Sequence, residues 1–475
     1  MSNLHESADA CRNEISVPGE QQLPTRIRFA VTAWLAMAAV FAYLCRNSLV
    51  VAESQLRADL ALTEDQMGFI LGPAFFWTYA LAQIPTAWLG ERLGSRRCLP
   101  VFAAAWSIAT GAIAFASGYG LLLASRIGNG IAQAGIFPCS TRTIALWNPQ
   151  SERASASGLL GASMSVGGAL GAGLTGWMLG YLPAKYIFAL FAAPGIVWSI
   201  GFWWWFRERP EFHSSANRAE CTLISQGSTL SPGSTIAKAS GNAQFDAAIW
   251  CQLTTSPAAW LICGQQFFRA GGYAFFASWF ATYLMETRGV STAQSGFLTA
   301  LPLIATVFGS TLGGVASDAV FRATKSLALS RKGLAGGSLT LCAGLVFSAF
   351  FVADPSAAVF VISCGAFLAA FAGPCAYTVT MDMGGNNVAS LFSTMNMIGN
   401  FGAGLMPWLV PRFKDWIDRT PQLLELCDGN SWNAVLVLFA VTYLGAAFCW
   451  LLLNTRGTVF EQSIIRGLEK NDDLR

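Results

Sequence analysis

The fold class this sequence predicts is an all-α membrane protein with twelve transmembrane helices in two six-helix bundles. Three observations predict it. Of 475 residues, 54% are hydrophobic and 12% charged, with 17 Trp and 34 Phe, too apolar for a water-soluble chain of this length. Apolar runs of about 20 residues, enough to cross a bilayer, recur along the chain. They fall into two sets of six on either side of a polar stretch rich in Ser, Gly, Asn and Ala.

Residues 1–25 are polar and carry acids ahead of any apolar run, so a cytoplasmic N-terminus is expected rather than a cleavable signal. The first bundle, 26–206, should hold spans near 29–52, 67–90, 98–118, 120–146, 155–181 and 186–206. Residues 207–257 lack the apolar content to fold alone and read as a mobile cytoplasmic linker. The second bundle, 258–455, should hold spans near 258–285, 293–320, 333–353, 356–381, 387–410 and 433–454, followed by a cytoplasmic C-terminus over 456–475. Basic residues follow the second span (Arg92, Arg96, Arg97), the fourth (Arg153), the sixth (Arg207, Arg209) and the eighth (Arg322, Lys325, Arg331, Lys332). Those loops share one side, and the excess of positive charge marks it as cytoplasmic, with both termini. An outer loop over 412–419 also carries bases, accompanied by Asp415, Asp418, Glu425 and Asp428. The expected setting is the lipid bilayer of the cell (inner or plasma) membrane, crossed many times. A net charge of +3, small and dispersed, gives no footing for nucleic acid.

An internal repeat supports the two halves. Residues 87–97, AWLGERLGSRR, end the second span, and residues 313–322, GGVASDAVFR, end the eighth. Glu91 and Asp318 hold equivalent places, 227 residues apart. Parallel duplication of a six-helix half is the architecture of transporters that rock one bundle against the other. Glu91, Arg92, Gly94 and Arg96, with Asp318 and Arg322, are the candidate cytoplasmic gating charges.

The candidate binding residues are cations inside spans. Arg126 and Gln133 lie seven residues apart in the fourth span and so share a face, with Gly130 between them clearing space. Arg46 lies in the first span and Arg269 in the seventh. Arg46 and Arg126 should sit at matching depths, because the first and fourth spans run in opposite directions. A buried arginine is costly unless it faces a cavity or a partner, so these three point to a negatively charged ligand. The planar fork of arginine suits a carboxylate or phosphate. The plainer alternative is a structural pairing with carbonyls or an acid, or snorkelling to the interface. Tyr43, Tyr79, Gln265, Tyr273, Asn396 and Asn400 supply donors and acceptors suited to a hydroxylated anion, although Asn396 and Asn400 would serve equally for interhelical packing beside GNFGAG. Phe75, Phe76 and Trp77 leave room for a ring.

Other classes fare less well. Twelve Cys, mostly inside apolar runs, show no metal spacing and read as packing residues. His5 and His213 are the only histidines, both in polar segments, and no HExxH or GxSxG motif occurs, so neither an enzyme nor a metal or cofactor site is indicated. An arginine-lined anion channel and a non-transporting receptor remain as alternatives. A monomer is expected.

WLGERLGSRR resembles the signature between the second and third spans of the major facilitator superfamily, with Ala87 where a Gly is usual and Glu91 in place of the commoner Asp. RIGNG, from Arg126 to Gly130, resembles its R-x-x-x-G motif. FRERPEFH at 206–213 and STMNMIGNFGAGLMP at 393–407 resemble the anion:cation symporter family, carriers of hexuronates, glucarate and galactonate in bacteria and of glutamate, sialate and phosphate in animals. The resemblance implies a central cavity lined by the first, fourth and seventh spans, alternating access, and a substrate arginine at each of Arg46, Arg126 and Arg269. It also implies a sugar acid as cargo, with organic sulfonates, aromatic carboxylates or phosphate as alternatives. Proton-coupled members usually carry carboxylates where this chain has Cys45 and Gln133, and neither residue can take over that role. The nearest acids, Glu53, Glu91, Asp318 and Asp382, are expected at helix ends or in loops. Three mechanisms follow: an uncoupled uniporter or exchanger, proton symport through the substrate or a displaced acid such as Asp382, and sodium coupling through carbonyls and Asn side chains.

Overall fold

The computed structural model describes residues 23–225, 247–288, 292–352 and 354–462; His5, the middle of the linker and most of the C-terminal tail lie outside them. The described residues are helical throughout, without strands. The helices named here are α1 (Ile27–Val51), α2 (Pro73–Leu93), α3 (Ser95–Ala112), α4 (Tyr119–Ala134), α5 (Ile136–Trp147), α6 (Arg153–Leu179) and α7 (Ala184–Trp205). They continue with α8 (Pro257–Ser278), α9 (Phe280–Arg288), α10 (Thr292–Thr324), α11 (Leu334–Ser348), α12 (Pro355–Phe371), α13 (Gly373–Met383), α14 (Val388–Asp418) and α15 (Ser431–Leu452). Together they account for the twelve expected spans. Among the described residues, eight spans are long and apolar enough to cross a membrane on that basis alone. The other four, the second, fourth, seventh and eleventh, hold Tyr79, Arg126, Gln133, Arg269 and Asn396, whose polar side chains lower their apolarity.

Two of the spans are broken at matching points. Pro138 has no N–H to offer the carbonyl of Ala134 and its ring crowds that oxygen, so the fourth span breaks at Gly135 into α4 and α5. Pro374 does the same four residues after Ala370, and the tenth span breaks into α12 and α13.

Packing divides the chain into two compact units. The first takes the chain through Ala156, the run from Ser163 into the linker, and Gly384–Ser393; the second takes Ser157–Ala162 and the remainder. Within the first unit α3 packs on α7, α2 on α4 and α1 on α7. Within the second, α11 packs on α15, α10 on α12 and α8 on α15, the same pairings shifted by six spans. The duplication read from the two acid-bearing loops is thus repeated in the helix contacts.

The two copies of that loop do different work. Glu91 accepts hydrogen bonds from the Ser390 backbone N–H at 2.8 Å and its hydroxyl at 2.7 Å, placing a carboxylate at the positive end of α14. Gly94 has a φ of +83°, and a β-carbon there would run into the Glu208 carboxylate. That bare backbone lets Ser95 and Arg96 donate their N–H groups to Glu208 at 3.2 and 3.0 Å, while Arg142 pairs with the same carboxylate. Burial alone would raise the Glu208 pKa, but Arg142 and the two N–H groups more than offset this and hold it below its ordinary 4.5. The folded state therefore binds this proton less tightly than the unfolded chain. Its contribution to stability is complete above the unfolded pKa and is lost as pH falls through the folded one. We expect the thermal midpoint in detergent to drop below about pH 4.5, and Glu208→Gln to flatten that acid limb. An unchanged limb in the variant would remove Glu208 as its source.

In the second copy, Arg331 does not face the cytoplasm as a loop cation. It is fully buried, 3.3 Å from both Asp318 and Asp382, with a 2.6 Å hydrogen bond to the Ser317 hydroxyl. Asp318 lies inside α10 rather than at its end, and Asp382 is buried near the end of α13. Counting bases in loops cannot distinguish a solvated arginine from one taken inside by two acids. Arg322 is exposed.

Two further expectations need correcting. The outer loop over 412–419 is helical up to Asp418, because α14 continues and Lys414 pins it, bonding Glu286 at 2.7 Å and lying 4.0 Å from the Trp432 ring centre. The start of the linker is ordered: a helix at Arg218–Ser225 carries Glu220, fully buried, onto Arg28 at 3.1 Å, and Arg28 also holds Glu152 at 2.7 Å. His213, in its polar segment, is buried and lies edge-on to Trp147 and Trp205.

Candidate functional site

In the first unit the predicted residues converge. Gln133, fully buried on α4, accepts from Arg46 through its Oε1, from Nε at 3.1 Å and Nη2 at 2.9 Å. Its Nε2 donates to the Ala42 carbonyl at 3.1 Å and to Asn129 Oδ1 at 2.6 Å. Asn129 in turn donates to the Thr110 hydroxyl at 2.8 Å. Arg46 is therefore aimed by a neutral, fully satisfied network linking α1, α3 and α4. Arg126, 3% exposed, donates from Nε to the Ile70 carbonyl at 3.3 Å and from Nη1 to the Arg46 carbonyl at 3.4 Å. The Arg126 side chain thus touches the main chain of Arg46.

Aromatic rings border both charges. The guanidinium carbons of Arg46 and Arg126 both lie 4.5 Å from the centre of the buried Phe75 ring. Tyr43 and Tyr79 lie 4.2 and 5.0 Å from Arg46. Each such cation–π contact contributes about 0.5–2 kcal/mol. Sharing one ring bounds the separation of the two guanidiniums at about 9 Å, where unit charges repel by about 2 kcal/mol at an effective dielectric near 20. Neither guanidinium has a carboxylate in contact among the described residues. Cys45 is turned away, its buried thiol donating to the Phe191 carbonyl at 3.5 Å. Gly130 serves helix packing, since a β-carbon there would strike the Thr78 hydroxyl and the Phe75 carbonyl of α2.

The second unit repeats the device with different residues. Arg269 is held by Gln266, whose Oε1 accepts from Nε at 3.3 Å and Nη2 at 2.9 Å. Its Nη1 lies beside Gly373, at the break in the tenth span. Gln265 points elsewhere, donating to the Ile262 carbonyl at 2.9 Å and to Met395 at 3.5 Å. Tyr273 is exposed to 41%. Asn400 donates to the Asn396 carbonyl at 2.8 Å, while Gly399 and Gly402 let α14 lie close against Gln266 and Phe267 of α8. The structure thus adds Gln266, Asn129 and Gln83 to the residues predicted from sequence. Gln83 follows Tyr79 by one turn on α2 and is fully buried, and neither its amide oxygen nor its nitrogen meets a partner among the described residues. The four-residue spacing of Phe75, Tyr79 and Gln83 was the signal that could have found it.

A family model for the Major Facilitator Superfamily matches residues 35–407, and the chain belongs to that superfamily. It is a multi-pass membrane transporter, not an enzyme. Among its relatives is the D-galactonate transporter of Escherichia coli O6:H1, 29% identical over 447 residues, covering 92% of this chain and 98% of the relative. Another is the probable sulfoacetate transporter SauU of Cupriavidus necator, 29% identical, covering 83% of this chain and 88% of the relative. The fold is also that of the proton:xylose symporter XylE bound to 6-bromo-6-deoxy-D-glucose, with a TM-score of 0.64 at 15% identity over 92% of this chain and 98% of that one.

Proposed function

We propose that this transporter moves a small organic anion, a sugar acid, across the plasma membrane by alternating access, with both termini in the cytoplasm. The observation that carries this reading is the pair Arg46 and Arg126, aimed by neutral groups and left without a carboxylate partner. In the second unit Arg269, aimed by Gln266, is a further candidate anion-binding arginine. Tyr43, Tyr79 and Gln83 offer the hydroxyl-matching groups. The relatives' cargoes, a sugar acid and a sulfonated carboxylate, are consistent with this chemistry.

Uncoupled uniport or exchange is the coupling this site supports best. Gln133 does not titrate, and both of its amide groups are engaged in the network. Asp382, the displaced acid that proton symport would need, is held by Arg331 in a buried pair. In liposomes carrying the purified protein, labelled D-galactonate or a related sugar acid should exchange saturably against internal substrate, with or without a proton gradient. Accumulation driven by the gradient would restore proton symport. Flux that does not saturate would favour an anion channel, and binding without flux a receptor.

A further inference from the structure

The charge count of the first unit narrows the cargo. Arg46 and Arg126 both lie 4.5 Å from the centre of the Phe75 ring, so the site brings two positive charges together around one aromatic side chain. The carboxylates of this unit whose partners are seen are engaged elsewhere: Glu53 with Arg57, Glu91 with Ser390, Glu152 and Glu220 with Arg28, and Glu208 with Arg142. The remaining groups facing the pair are the Tyr43 and Tyr79 rings and the Gln133 amide, none of them anionic. A monoanion would neutralise one of the two charges and leave the other desolvated whenever the site is closed to water. An anion with two acidic groups on one short chain neutralises both.

We infer that the preferred substrate is a dianion, an aldaric acid or a sulfonated carboxylate, rather than a monoanionic aldonate or hexuronate. This rests on the reading that Arg46 and Arg126 hold the transported anion. It also bears on the two relatives' named cargoes, since galactonate carries one negative charge and sulfoacetate two.

The test uses the full chain in liposomes and pairs of competitors matched in chain length, galactarate against galactonate and sulfoacetate against acetate, each scored for inhibition of counterflow. The dianion of each pair should compete at least about tenfold better. Gln133→Glu places a carboxylate where the amide now receives the two Arg46 N–H groups, and should bring galactarate and galactonate to near parity. Equal competition within each pair in the wild-type protein would overturn the inference while leaving sugar-acid transport standing, and so would a preference for galactonate. Failure of all four compounds to compete would instead remove the transport reading on which the inference rests. The wild-type ratios decide the matter even if the Gln133 variant does not fold.

Discussion

Arg126→Ala is expected to abolish uptake while leaving the protein inserted and folded. The side chain is 3% exposed and spends two of its N–H groups on main-chain carbonyls, those of Ile70 and Arg46, so its remaining donors are oriented in advance. An anion paired with such a group loses about 2–5 kcal/mol when the group is truncated. At 1.4 kcal/mol per factor of ten, uptake should fall by about 30-fold to several thousandfold. The fold should survive, because the variant removes a buried charge rather than stranding one. Arg126→Lys should fall between the two, retaining charge but losing the planar fork. Transport at the wild-type rate by the alanine variant, measured at equal reconstituted amounts, would remove Arg126 from the binding site.

Arg331→Ala should act on the fold instead. It would leave Asp318 and Asp382, both buried, facing one another with no cation between them. Removing one partner from a buried ion cluster costs about 3–5 kcal/mol. We expect a large drop in the detergent melting temperature and in the yield of monodisperse protein. Replacing the whole cluster, as Asp318→Asn, Arg331→Met and Asp382→Asn together, should recover much of that loss, because no unpaired charge then remains. A single variant that melts with the wild type would show that the acids find other partners.

The spans and the duplication were legible in the sequence because both are written in apolar periodicity and in charged loops, signals that need no tertiary contact. Helix rise alone places Arg46 and Arg126 at one level of their antiparallel spans, and the Arg126 Nη1 lies 3.4 Å from the Arg46 carbonyl. What could not be read was the direction of side chains on a helix face crowded with polar candidates. Gln265 and Gln266 are adjacent in sequence and equal in chemistry, yet only Gln266 reaches Arg269; the choice depends on where Gly399 lets α14 approach. Gly130 illustrates the same limit, since a gap between two polar residues looks the same whether it admits a ligand or a neighbouring helix. Arg331 reads as a loop base because nothing in the sequence shows Asp318, 13 residues before it, and Asp382, 51 after it, closing on one guanidinium.

The uneven apolarity of the spans bears on how the protein is made. The second, fourth, seventh and eleventh segments leave the ribosome carrying polar side chains such as Gln83, Arg126, Arg269 and Asn396, and each is a poor candidate for entering lipid unaided. Their apolar neighbours must reach the bilayer and shelter them, and α3, which packs on α4, is placed to do this for the fourth segment. Truncations that end shortly after the fourth span keep Arg46, Ile70 and Phe75 beside Arg126 but lose α7, which packs on α1 and α3, and quality-control proteases should find them first.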